Sequence, residues 1–398
     1  LAEHQQGSPP PIAKLPTHRS GPTEPADRRP PELLARLAAV PHAERVRQVE
    51  ADSSFHSPDL CRLLLAESRQ ATFLDSGLAV DWASLAVRVT ELLPTKRALR
   101  ALRAETLAVL GNAYRLIGEL RAAEESFLSA EPLLAEPGVA PPGLLAEVHG
   151  LRASLRLAQR RLPEAREEIR SALALAAGLG DLHQLGKLIL KEAKIIEEEG
   201  DLEAAARRLA EAAEAIDSRT EPELYRIARF NLLGVLLRQG RYEEAAGLLE
   251  TVVPLFADEP AESTHRLRLR WSEGLIARSL HRLNEAEEAL LSVENEFIRR
   301  QMGYDAALVA IDLGIVYLET GAVKPLRRLA AELLGVLAAK DLSKEAFACV
   351  LLYQDACQSA RLTSRLAREL ARFMREDRHR PPSLKVDFRT GEGLLDPM

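Results

Sequence analysis

Between residues 59 and 375 apolar side chains recur three and four positions apart, in a chain where Leu, Ala, Glu and Arg dominate and Gly, Pro and aromatics are sparse. That spacing lays one apolar stripe along a 3.6-residue helix. No convincing strand pattern interrupts it. A second, longer period emerges when the helical segments are aligned: a small residue in one predicted helix is followed twelve positions later by another in the next. The pairs are Ala71 and Ala83, Gly111 and Ala123, Ala153 and Ala165, Ala193 and Ala205, and Gly274 and Ala286. Leu233 with Ala245 and Gly314 with Leu326 keep the offset with one large member, and Gly234 lies beside the first of these. Successive first members are 40, 42, 40, 40, 41 and 40 residues apart. A near-constant period over seven units predicts a stacked helical array.

Each unit carries its own punctuation. Gly118, Gly200, Gly240 and Gly321 stand five residues before the second member of a pair, where a left-handed helix-ending conformation suits glycine. A polar and then an apolar residue follows, as in Glu119-Leu120, Asp201-Leu202 and Arg241-Tyr242. The unit is therefore expected to be an antiparallel αα-hairpin. Its small residues let two helices joined by a short turn approach closely. Phe127, Ile169, Leu209, Leu249 and Leu290, four residues beyond the markers, are expected to fill the seam toward the following unit.

Leu107-x₂-Leu110-Gly111-x₂-Tyr114 followed by Ala123-x₃-Phe127-x₂-Ala130 closely resembles the tetratricopeptide repeat (TPR) pattern, and Gly314-x₂-Tyr317 repeats part of it. The resemblance covers residues 60–337 as seven units, with an eighth hairpin expected over residues 343–375. It implies an all-α fold, a right-handed α-solenoid of hairpins. The period departs from the family's 34 residues, and six more helical residues add about 9 Å per unit. Longer helices or longer inter-unit loops are thus expected, as in the long arrays of multidomain bacterial regulators.

The resemblance also implies where a ligand goes, since in TPR proteins the first helix of each unit lines a concave groove. Carried over residue by residue, this points to Glu105, Asn112, Arg115, Lys187, Lys194, Phe230, Arg268, Trp271 and Arg278. Asn112 matches the groove asparagine that bonds a peptide backbone in family members. Ala108 stands where the two-carboxylate clamp of chaperone-binding members has a Lys, so that clamp is incomplete.

Outside the array, residues 1–31 are rich in Pro, Ser, Gly and mixed charge and read as a disordered linker. Residues 32–58 read as two short helices broken at Val40-Pro41, capping the first unit's open face. Residues 376–398, stopped by Pro381-Pro382, read as a polar tail. The start at Leu1 without Met suggests that something upstream was removed, and no apolar run is long enough to span a bilayer. Formal charge is −6, which offers no global attraction to nucleic acid or anionic lipid. The basic run Lys96, Arg97, Arg100, Arg103 and the pair Arg266 and Arg270 are interspersed with acids and read as solvated, salt-bridged faces.

Three cysteines cannot form a disulfide framework in so long a chain and fit a reducing, cytoplasmic setting. Cys349 and Cys357 read as buried filler. Gly178–Gly186, GLGDLHQLG, lacks the preceding strand of a nucleotide loop and reads as an inter-repeat turn. No HExxH, GxSxG, P-loop or paired CxxC occurs, so no enzyme activity, cofactor or metal is expected. The expected partner is a protein or peptide, with the chain acting as a non-catalytic scaffold. The alternative is a ligand- or peptide-sensing regulatory domain of a larger bacterial protein with an effector upstream.

Overall fold

The computed structural model describes residues 30–72, 75–136, 138–336, 344–358 and 361–377. Most of the expected linker and tail lies outside the described residues. Among the described residues there are eighteen α-helices and no strand. Helices α1 (Pro30–Ala38) and α2 (His42–Ala51) come first, and α1 begins inside the stretch read as linker because two prolines fit its first turn. Seven antiparallel hairpins follow: α3 (Pro58–Ala71) with α4 (Ser76–Leu92), α5 (Arg100–Leu116) with α6 (Leu120–Leu134), and α7 (Pro142–Ala158) with α8 (Leu162–Ala177). Then come α9 (Leu182–Glu198) with α10 (Leu202–Ala215), α11 (Pro222–Arg238) with α12 (Tyr242–Val252), α13 (Thr264–Ser279) with α14 (Leu283–Arg299), and α15 (Gly303–Thr320) with α16 (Val323–Val336). A last pair is α17 (Lys344–Gln358) and α18 (Ser364–Asp377). Each hairpin packs on the next, so the chain is an α-solenoid with its core distributed along the seams.

The extra length per unit resides in the helices, four of the first helices (α5, α7, α9 and α11) being 17 residues long. Gly111 and Gly274 are points of close approach, the first to Ala123 and Phe127, the second to Leu290 rather than to its expected partner Ala286. A Cβ on Gly111 would lie 3.2 Å from the Ala123 carbonyl oxygen and 2.9 Å from the Phe127 ring, and one on Gly274 would lie 2.8 Å from Leu290. In the α15 hairpin the reason for glycine differs from the expected one: Gly314 makes room chiefly for the Tyr353 hydroxyl of α17, with Leu326 further off. Gly234 opens away from its seam, where Leu233 packs with Ala245, and nothing lies within 4 Å of the place its Cβ would occupy.

The turns follow one design. Gly118, Gly200, Gly240 and Gly321 all have φ between 72° and 93°. Arg160 and His281 occupy the same slot at φ 61° and 58°, so two turns adopt the left-handed conformation without glycine at a local cost of about 1–2 kcal/mol each. At the front of the array the Arg45 guanidinium lies 4.0 Å from the Trp82 ring centroid. Its Nε donates to the Leu37 and Val40 carbonyls, both at 2.9 Å, tying α1 and α2 to α4.

The far end departs from the repeat. Residues 303–317 of α15 are all buried, because α14, α16, α17 and α18 all pack on that one helix. This enclosure accounts for its near-continuous apolar sequence, which a helix with one solvent face would not need. It also buries Glu294 of α14 to 1 % exposure, with no partner for its Oε1. Burial, reinforced by the charge of Glu332 and partly offset by Arg328, pushes the Glu294 carboxyl up to about 7.

Ala123→Leu forces α5 and α6 apart and is expected to cost about 1–3 kcal/mol by denaturant unfolding. Glu294 is protonated in the folded chain over a pH range where the unfolded chain has lost that proton. Its contribution therefore falls as pH rises from about 4.5 to about 7, by up to about 3 kcal/mol. Glu294→Gln should flatten that part of the stability–pH profile and be more stable than the parent above pH 7.

Candidate functional site

Helices α9, α11, α13 and α15 present one continuous face, and α18 lies across α15 to form a wall beside it. Between them is a cleft of about 680 Å³. Phe230, Leu237, Trp271, Leu275 and Ile315 give it apolar lining. Phe230 is fixed by Phe256 and His265, with ring centroids 5.7 and 5.6 Å away. Gly234 contributes an open stretch of backbone.

Beside the apolar packing of Ala367, Leu370, Ala371 and Met374, a buried carboxylate ties down the α18 wall. Asp312 of α15, 2 % exposed, accepts from Arg375 Nη2 at 2.8 Å (Oδ1) and 2.6 Å (Oδ2). Its Oδ2 also accepts from Trp271 Nε1 at 2.9 Å. The Tyr304 hydroxyl donates to the Met374 carbonyl. Burial alone would lower the Arg375 pKa, but the Asp312 charge outweighs it and the guanidinium is held above its usual value. Trp271 packs edge-on to Phe297, centroids 6.2 Å apart, so it bridges seam and cleft.

Of the nine residues singled out in the sequence, the cleft gathers Lys194, Phe230, Arg268, Trp271 and Arg278. The other four are engaged in local or inter-unit pairs. Glu105 accepts from Arg69 Nη2 at 2.8 Å, and the same nitrogen reaches Glu147 at 2.9 Å, a strut through three successive units. Asn112 Oδ1 accepts from Arg115 Nε and Nη2 at 3.1 and 2.9 Å. Burial holds the Arg115 pKa below its ordinary value. Lys187 pairs with Glu221 of the next unit at 2.5 Å. Nearby, burial and then the Arg115 charge lower the Lys191 pKa to about 8.

Sequence reasoning missed Asp312, Arg238 and the α18 residues Arg368, Arg372 and Arg375, all of which line the cleft. The available signals were a lone acid within an apolar helix and arginines recurring on one face of an amphipathic one. Half of the basic residues noted in the sequence are paired with acids: Arg97 and Arg100 meet Glu136, and Arg270 meets Glu273 and Glu288. Among the described residues no group of three or more His, Cys, Asp or Glu could hold a metal ion, and no helix is long and apolar enough to cross a membrane. Cys61, Cys349 and Cys357 are free and buried.

No protein-family model and no curated protein matches the sequence. Solved structures do match in fold. The apo form of RapI aligns at TM-score 0.57 with 12 % identity, covering 80 % of this chain and 97 % of that one. A Rap protein complexed with Competence and Sporulation Factor aligns at 0.52 with 12 % identity over 81 % and 94 %. A signal transduction ATPase (STAND) protein with a tetratricopeptide repeat sensor from Pyrococcus horikoshii aligns at 0.58 with 13 % identity; the match covers 85 % of this chain and only 52 % of that protein. The fold is thus of the TPR type.

Because Asp312 is the shared acceptor for α13 and α18, Asp312→Asn should loosen the wall. The expected cost is about 2–4 kcal/mol, from leaving Arg375 without its counter-charge. Amide exchange should quicken in α18 and leave α5–α8 unchanged.

Proposed function

We propose that the chain is a non-catalytic interaction scaffold that holds an extended protein segment in the cleft between α9–α15 and α18. The observation that carries this reading is the cleft itself: a concave space of about 680 Å³ with an apolar floor and convergent polar side chains, built on packed helices. Such a surface binds without first being ordered, which removes a cost that flexible sites bear. Lys194, Phe230, Arg268, Trp271 and Arg278 are the residues assigned to partner contact, and Asn231 adds an amide for a peptide backbone. Glu105, Asn112, Arg115 and Lys187 are assigned to the same face, further along the array.

A second reading, a sensing domain within a larger regulatory protein, draws support from two neighbours. One is described as carrying a tetratricopeptide repeat sensor, and another was solved with a bound factor. On this reading the segment held in the cleft is the signal, and α18 is the element whose seating it changes.

Gly234 provides the test, since a side chain there enters the cleft and no seam. Gly234→Trp should plug the site while retaining full helicity. Gly247→Trp, on the exposed face of α12, where a Cβ also meets nothing, is the control. Selection from a random peptide display library should enrich ligands that bind the parent and the control but not Gly234→Trp. Ligands indifferent to the plug would refute the cleft as the binding site.

A further inference from the structure

The chain as a whole is acidic, with a formal charge of −6, yet the cleft runs the other way. Its lining carries seven bases, Lys194 and six arginines, against two acids, Glu197 and Asp312. Acids behind the lining take up part of this charge. Glu197 and Glu198 meet Lys194, both at 3.0 Å, and Glu197 also meets Arg238. Glu198 is shared with Arg160 at 2.8 Å, Glu319 meets Arg278 at 3.3 Å, and Asp305 lies 3.9 Å from Arg268. With these included, eight bases face five acids. The surplus is concentrated where the pairing stops.

That place is the α18 wall. Arg368 and Arg372 are exposed and have no carboxylate partner among the described residues; Arg368 Nε donates only to the Ser364 carbonyl. Across the cleft, Arg278 is mostly buried and its Nε has no acceptor. Guanidinium groups present forked donors that match carboxylates, and a concave apolar setting strengthens their field. Arg368 and Arg372 stand one helical turn apart, about 6 Å. In an extended chain, side chains on the same face two residues apart are spaced about 6.6 Å. The intervening side chains then point oppositely, and the half-buried Phe230 and Leu275 of the lining offer them apolar surface.

We propose that the cleft recognises an acidic peptide segment in extended form, carboxylates at alternate positions facing Arg368 and Arg372 and apolar side chains facing the floor. This deepens the scaffold reading and rests on it.

The test is fluorescence anisotropy on the full chain with labelled, end-capped octapeptides alternating Glu and Leu, Gln and Leu, or Lys and Leu, and with an oligothymidylate. The Glu–Leu peptide is expected to bind at least about tenfold more tightly than its Gln–Leu counterpart, to weaken with added salt, and to lose about tenfold in Arg368→Gln/Arg372→Gln. These two side chains are exposed, so the variant should keep the parent's circular dichroism. Gly234→Trp should abolish binding. Equal binding of the Glu and Gln peptides, both blocked by Gly234→Trp, would overturn the acidic-ligand assignment and leave the scaffold reading standing. Binding untouched by Gly234→Trp would remove both. Failure of the Glu–Leu peptide to bind, or tighter cleft-dependent binding of the Lys–Leu peptide or the oligonucleotide, would overturn the assignment.

Discussion

The distance between paired helices governs this molecule. Where Gly111 faces Ala123 and Gly274 faces Leu290, an added methyl group has no room, so these two hairpins close to a spacing that glycine permits. Repetition of that spacing aligns the first helices side by side and gives them one continuous face. The cleft inherits its shape from contacts on the opposite side of those helices. Side chains at the seam and side chains at the site therefore answer to different demands on the same helix, as Leu233 and Gly234 do in adjacent positions.

The C-terminal end adds a second constraint of a different kind. Asp312 sits in the buried stretch of α15, and two donors from different helices meet its oxygens. A buried carboxylate in such a place costs desolvation and is retained where its partners satisfy it. Its effect is geometric: it fixes Trp271 against the seam and α18 against the groove, turning an open face into a walled cleft.

The repeat was legible because it is periodic. Small-residue offsets and turn glycines predicted the hairpins, and in four turns the glycine does what its position implies. The turns at Arg160 and His281 carry no glycine, so only the neighbouring register marked them. Five candidate groove residues converge on the cleft, but Glu105, Asn112, Arg115 and Lys187 are held by neighbours such as Arg69 and Glu221, pairings that a single helix face does not reveal. Helix α18 was expected as half of an eighth hairpin, but its role as a wall across α15 was not legible. Arg375 and Asp312 are 63 positions apart, and a single contact at that separation leaves no period. The unbroken apolar run of α15 was its trace, since such a run signals a helix wrapped on every side.

That wrapping makes the units unequal as evolutionary parts. The hairpins from α3 to α8 lend the cleft no residue, so a duplication or loss among them changes the length of the rod and leaves the cleft intact. The α15 hairpin is different, because its first helix is at once a repeat, the floor of a cleft and the anchor of a distant segment. An exchange of modules that replaced it would dismantle the pocket, as would loss of the α9, α11 or α13 hairpins, so variation in array length that spares the pocket is confined to the units ahead of α9.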